Sequence, residues 1–276
     1  MLLGCGEIEQ QAAPVQPREW GEPKTLAQIK DPRISESSGV AASLTRPGVF
    51  YTHNDSGDRA RFFAFDRSGK VLAEYELEGA QNIDWEDMAS ARIGGKNYLY
   101  FGDIGDNARR RNTIVVYRVE EPGDPAARLD HFETYTLEYP DGPHNAEALM
   151  VHPGSGDLTI VTKSSGKQSQ VFRARSPRDG TTTRLQEVGT IGVGGSIEAT
   201  RLITGGDISP DGRYVVVRTY AAAYEWPLER WFKDHPVKIK TNLELVGEGI
   251  CYEPDGKALI TTAELNPCQV SRIPLK

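Results

Sequence analysis

Five segments of the chain open with acidic or hydroxyl side chains that could bind a cation or move a proton. Glu36 and Ser38 open ESSGVAAS (36–43), Glu86 and Asp87 open WEDMASA (85–91), Glu147 opens AEALMVH (146–152), Asp207 opens GGDISPDG (205–212) and Glu248 opens GEGICYEPDG (247–256). A single acid of this kind caps backbone amides; an acid in all five openings asks for more. Carboxylates brought together raise one another's pKa, and must be protonated, paired with a base or neutralised by a cation. A second tier ends the segments that follow: His53-Asn54-Asp55 and Asp103, with Lys163, Arg218 and Glu264 at comparable places. An imidazole beside a carboxylate can ligate or carry a proton, so His53 and Asp55 are the catalytic candidates. Ser38, Glu86, Asp87, Lys163, Arg218, Glu248 and Glu264 are the candidates for ligand contact. The spacing Asp-x-Gly-Asp occurs at 55–58 and again at 103–106. It also suits a tight polar loop, because Gly and Asp tolerate positive φ.

The elements that must position these residues repeat in a fixed order. After each opening comes a turn and an apolar run: VFYTHND (49–55), YLYFGD (98–103), LTIVTK (158–163), YVVVRT (214–219) and ALITTAE (258–264). A third run follows at 61–66, 113–119, 170–175, 222–226 and 269–274. A fourth, weaker run completes only four units, at 70–78, 131–139, 184–193 and 237–245, while KTLAQIK (24–30) stands spare at the other end of the chain. This order predicts an all-β propeller of five blades, each of four antiparallel strands, with 24–30 as the outer strand of the last blade. A β-sandwich has similar short strands, but neither the displaced strand nor the repeated opening. Six blades, the alternative count, need a further opening that the chain lacks. Phe62, Phe65, Tyr117, Phe172, Tyr224 and Trp226 alternate within the runs and belong between blades. Helical periodicity is confined to a turn or two around 228–232.

The propeller is expected to span 21–276, with 1–20 as a signal remnant and flexible tether. Met1-Leu2-Leu3-Gly4-Cys5 resembles the end of a bacterial lipoprotein signal, which makes Cys5 a candidate for lipidation. The expected location is outside the cytoplasm, as a cell-envelope lipoprotein or a secreted protein. A formal charge of −7 argues against nucleic acid and anionic membranes as partners. Membrane attachment is expected only through a lipid at Cys5, and the protein is expected to be monomeric. Hairpin register places one strand between Cys251 and Cys268, about 9–10 Å of separation where a disulfide allows roughly 7 Å. Two free, buried thiols are expected.

The layout is similar to secreted bacterial β-propellers of the TolB-like and calcium-dependent phosphotriesterase class, related to gluconolactonases, paraoxonases and esterase-like phytase proteins. It also resembles a family of exported bacterial proteins bearing the segments HNDSGD, DWEDMA, GDIGDN and PHNAEAL, found here at 53–58, 84–89, 102–107 and 143–149. The resemblance covers about residues 30 to 276. It implies a divalent cation, calcium by ligand type, held by Glu36, Asn54, Asp103, Glu147 and Asp207. The expectation is an exported binding or scaffolding propeller with an acidic channel mouth that takes a small molecule or a protein. The alternative is a metal-dependent hydrolase of an ester, lactone or phosphoester. Lys163 and Arg218 near the mouth, and the blade count of five, depart from the lactonase pattern.

Overall fold

The computed structural model describes residues 15–276 apart from 124, 126, 127, 243 and 245, so Cys5 lies outside the described residues. The chain begins with β1 (Lys24–Ile29) and then builds blade 1 from β2 (Ser37–Ala42), β3 (Val49–Asn54), β4 (Arg61–Asp66) and β5 (Val71–Glu76). Blade 2 contains β6 (Trp85–Ile93), β7 (Lys96–Asp103), β8 (Ile114–Glu120) and β9 (Glu133–Glu138). Blade 3 contains β10 (Ala146–Val151), β11 (Leu158–Thr162) and β12 (Ser169–Ala174); the short β13 (Thr182–Arg184) precedes its outer strand, β14 (Gln186–Ile191). Blade 4 comprises β15 (Ile203–Ile208), β16 (Tyr214–Thr219), β17 (Ala222–Pro227) and β18 (Val237–Lys240). Blade 5 has β19 (Gly247–Tyr252), β20 (Ala258–Ala263) and β21 (Cys268–Pro274).

The sheets confirm the five-bladed propeller and its closure. β1 pairs antiparallel with β21, Lys24 opposite Arg272 and Ile29 opposite Cys268, as the outer strand of blade 5. The two ends of the chain are thus joined by ladder hydrogen bonds, and Ile29 is fully buried at the seam. The expected fourth strand of blade 4 is shorter than the apolar pattern, ending at Lys240. One strand was not foreseen: β13 pairs parallel with β9 and so extends blade 2 from the connection inside blade 3. The turn expected around 228–232 is a 3-10 helix over Leu228–Arg230.

The innermost strands β2, β6, β10, β15 and β19 pack side by side around the axis. Of these, β2, β10, β15 and β19 are buried along their whole length. The core is divided into five clusters, one in each seam between neighbouring blades. The aromatics expected between blades are all buried there. Each fully buried side chain of this size contributes about 1.5–3 kcal/mol. Cys251 and Cys268 are free and buried; Cys251 stands opposite Ile260, as the register argument requires.

Residues 15–20, read from composition as tether, lie against blades 4 and 5. The Arg18 guanidinium pairs with Glu225 and stacks 3.8 Å over the Tyr214 ring, and Trp20 Nε1 donates to Glu225 Oε2 at 3.0 Å. No helix among the described residues is long and apolar enough to cross a membrane.

Candidate functional site

At one end of the channel the innermost strands begin and the second strands finish. In every blade the register between these two strands slips just past the start, after Ser37, Trp85, Ala146, Ile203 and Gly247. A bulge of this kind re-aims a side chain. The residues at the slip are Ser38, Glu86, Glu147, Thr204 and Glu248. Blades 2, 3 and 5 therefore bring an acid to the mouth, each at most 4% exposed. Blades 1 and 4 bring hydroxyls that tie the ring together. Ser38 Oγ donates to the Glu86 carbonyl at 2.5 Å, and Thr204 Oγ1 to the Gly247 carbonyl at 2.8 Å.

Three carboxylates converge more closely than the rest. Asp55 just after β3, Asp84 just before β6, and Glu86 in its bulge each place an oxygen within 4.8 Å of the others; no other such cluster occurs among the described residues. No ion pair reaches any of the three, and no hydrogen-bond donor meets the Glu86 carboxylate, among the described residues. The nearby Arg111 Nη1 is committed to Asp103 Oδ1 at 2.7 Å and to the Gly105 carbonyl at 2.8 Å. Gly105 explains part of the GDIGDN segment, because a Cβ there would overlap both the Glu86 and the Asp84 carboxylates. Burial, then the Asp55 charge, pushes Asp84 up to about 6. Burial also raises Glu86 well above its ordinary value, with Glu147, Asp55 and Asp84 adding to it. Calcium–oxygen bonds run about 2.3–2.6 Å, so oxygens on opposite sides of one ion stand roughly 5 Å apart. The trio fits within that span and can hold a divalent cation.

The other half of the mouth carries a base. Lys163 Nζ donates to Glu147 Oε2 at 2.6 Å and lies 5.2 Å from the centre of the Tyr220 ring. Burial opposes the Lys163 charge, but Glu147 and Glu248 more than offset it and raise its pKa. Glu147 is itself raised, by burial that the Lys163 pair only partly reverses. Burial and then Glu147 push Glu248 up to about 8. Its carboxyl shares a hydrogen bond with half-buried Glu264, while Glu248 Oε2 is buried without a partner.

Several residues expected at the site are placed elsewhere. The His53 ring is fully buried between blades 1 and 2, 5.4 Å from the Trp85 ring, with Nδ1 donating to the Asn54 carbonyl at 2.9 Å. β3 ends at Asn54, so Asp55 stands past the strand at the mouth, and no hydrogen bond or ion pair joins it to His53 among the described residues. The Asn54 amide is spent on the backbone of Ser35, Glu36 and Arg33 and on Asp58. Asp103 holds the Ile83 and Asp84 amides and pairs with Arg111. Asp87 accepts the amides of Met88, Leu149 and Gly206, which staples blade 2 to blades 3 and 4. Asp207 accepts the Ile208 and Tyr252 amides and lies near the other end of the channel. The residue equivalent to Glu86 in blade 4 is Thr204, three positions earlier. Arg218 is fully buried and pairs with Glu244 at 2.9 Å. Glu36 is exposed, and the blade 1 residue at the slip is Ser38. Of the five expected ligands Glu36, Asn54, Asp103, Glu147 and Asp207, none belongs to the converging trio. Asp84 and Tyr220 were missed; the DWED sequence was the available signal for Asp84.

No protein-family model matches the sequence, and no curated protein matches it. Solved structures place the chain among β-propellers. A gluconolactonase from Xanthomonas campestris aligns over 97% of this chain and 99% of its own, with a TM-score of 0.52 and 13% identity. The glutaminyl cyclase of Myxococcus xanthus aligns over 95% of this chain and 100% of its own, with a TM-score of 0.52 and 14% identity. At these identities the likeness establishes the fold alone.

Proposed function

We propose that this protein is an exported ligand-binding propeller whose channel mouth takes a divalent cation, calcium by ligand type, between Asp55, Asp84 and Glu86. The observation that carries the reading is the convergence of three carboxylates with no base among them, one of them 96% buried by its 4% exposure. Oxygen-only ligation of this kind suits calcium, and the half-buried Asp55 and Asp84 leave room for further oxygens from water or ligand. Melting curves with calcium and with chelator test it. Calcium at a hundredfold excess over its Kd stabilises the protein by about 2.7 kcal/mol, and Asp84→Asn removes that gain. An unchanged melting temperature in the wild type overturns the reading.

Metal-dependent hydrolysis is the second reading, supported by one feature. Glu248, with a pKa pushed up to about 8, is a protonated carboxyl at neutral pH in the same mouth and can act as a general acid. The cation would polarise the scissile oxygen. Chelator-sensitive hydrolysis of an ester or lactone that Glu248→Gln abolishes would favour this reading over binding alone.

A further inference from the structure

The half of the mouth opposite the cation trio has its own unmet demand. Glu248 Oε2 is buried without any partner, and Glu248 as a whole is 4% exposed. Glu264 stands beside it, and Lys163 is committed to Glu147. Arg218, the other base close to Glu248, is committed to Glu244 and to the carbonyls of Gly249 and Thr262. Both bases act on Glu248 only from a distance, and one divalent cation in the trio gives neither Glu248 nor Glu264 a direct ion-pair partner. These two with Glu147 do not converge tightly enough to form a second metal shell among the described residues. An ammonium group, by contrast, is already accommodated there: Lys163 shows one held by a carboxylate against an aromatic face.

The rim adds a second property. The connection from an outer strand to the next blade, and the turn from a second to a third strand, both lie at this end of the channel. Ile83 and Ile197 stand on connections of the first kind and Leu265 on a turn of the second kind, so all three are on the face that carries the acidic mouth. They are 54%, 68% and 43% exposed, three of the five exposed large apolar side chains among the described residues. Ile83 directly precedes Asp84, and Leu265 directly follows Glu264.

We infer that Glu248 and Glu264 form a subsite for a primary alkylammonium group, whose carbon chain leaves the mouth across Ile83 and Leu265. The inference rests on the reading of this mouth as a binding site, but not on the identity of the cation in the trio. Such a group can come from a free aliphatic amine or from a lysine side chain of a polypeptide.

Calorimetry with 1-butylammonium chloride tests it, with n-butanol as the uncharged control. The wild type binds butylammonium and not butanol, and hexylammonium binds more tightly than butylammonium. Glu248→Gln, which keeps the shape but cannot become a carboxylate when an ammonium group binds, weakens butylammonium at least tenfold while calcium still binds. Asp84→Asn abolishes calcium binding and leaves amine binding in place, so the two readings fail separately. A terminally blocked Ala-Lys-Ala peptide that binds more tightly than butylammonium assigns the subsite to a polypeptide; the reverse order assigns it to a free amine. The inference is overturned if butylammonium does not bind the wild type, or binds Glu248→Gln equally well. A second calcium ion that is lost in Glu248→Gln overturns it as well.

Discussion

The channel contains two kinds of buried carboxylate. Asp87 and Asp207 are buried in the ring and point at backbone amides of neighbouring blades; each accepts hydrogen bonds that would otherwise be orphaned. Glu244 is spent in the same way on Arg218, Thr261 and Ser271. Glu86 and Glu248 are buried just as deeply, yet one has no donor and the other has a bare oxygen. Burial therefore does not distinguish structure from site here. What distinguishes them is whether the protein supplies the partner. Acids whose partners come from the chain hold blades together, and the acids left facing one another are those to which the proposed cation and ligand are assigned.

Substitutions in the two groups should behave in opposite ways. The largest effect belongs to the structural group. Arg218→Ala leaves Glu244 charged and unpaired between blades, costing about 3–5 kcal/mol, measured by urea unfolding. Asp87→Ala is next, because three amides from three blades lose their acceptor; a loss of about 1–3 kcal/mol is expected. A loss near zero for either would remove the basis of the comparison.

The pH dependence sharpens it. Asp207 and Glu248 have folded values pushed up by burial to about 7 and about 8. The folded protein holds protons there that the unfolded chain releases near pH 4, so stability falls as pH rises from about 4 towards 8. His53 acts in the other direction. Burial lowers its pKa, so the folded state resists a proton that the unfolded chain takes up below about pH 6.5. Two raised carboxyls outweigh one lowered imidazole, so cation-free stability should fall from about pH 5 to pH 8, and unfolding midpoints that climb across that range would contradict this. The smallest effect is at the mouth. Glu86→Gln removes a buried, repelled charge, and the cation-free protein should gain about 1 kcal/mol or less. A clear loss would mean that Glu86 has a structural partner after all.

Much of the fold was legible because a propeller writes its repeat into the chain. The missing fourth strand after QVSRIP and the spare strand at KTLAQIK specified the closure seam, and β1 lies there. The site was legible only in part, and the reason is the bulge. Strand alternation is a parity argument, and an extra residue at the start of each inner strand shifts that parity by an amount that sequence does not reveal. Glu86, Glu147 and Glu248 fall at the slip. In blade 4 the GGD of 205–207 imitates the acidic opening, but the slip comes at Thr204, and Asp207 is carried down the channel. His53 and Asp55 are two residues apart and look like partners. One faces the seam between blades; the other stands past the end of the strand, at the mouth. Arg218 reads as a base near the mouth, and only its contact with Glu244, at the end of the weakly patterned run 237–245, shows that it is occupied.

The most direct test of the account is anomalous diffraction from a crystal of the protein grown with calcium. The account predicts one calcium peak at the mouth, bonded to Asp55, Asp84 and Glu86 at about 2.3–2.6 Å, with none against Asp87, Asp103 or Asp207. A mouth without a peak at saturating calcium, or a calcium ion seated on the blade-stapling acids instead, would contradict it.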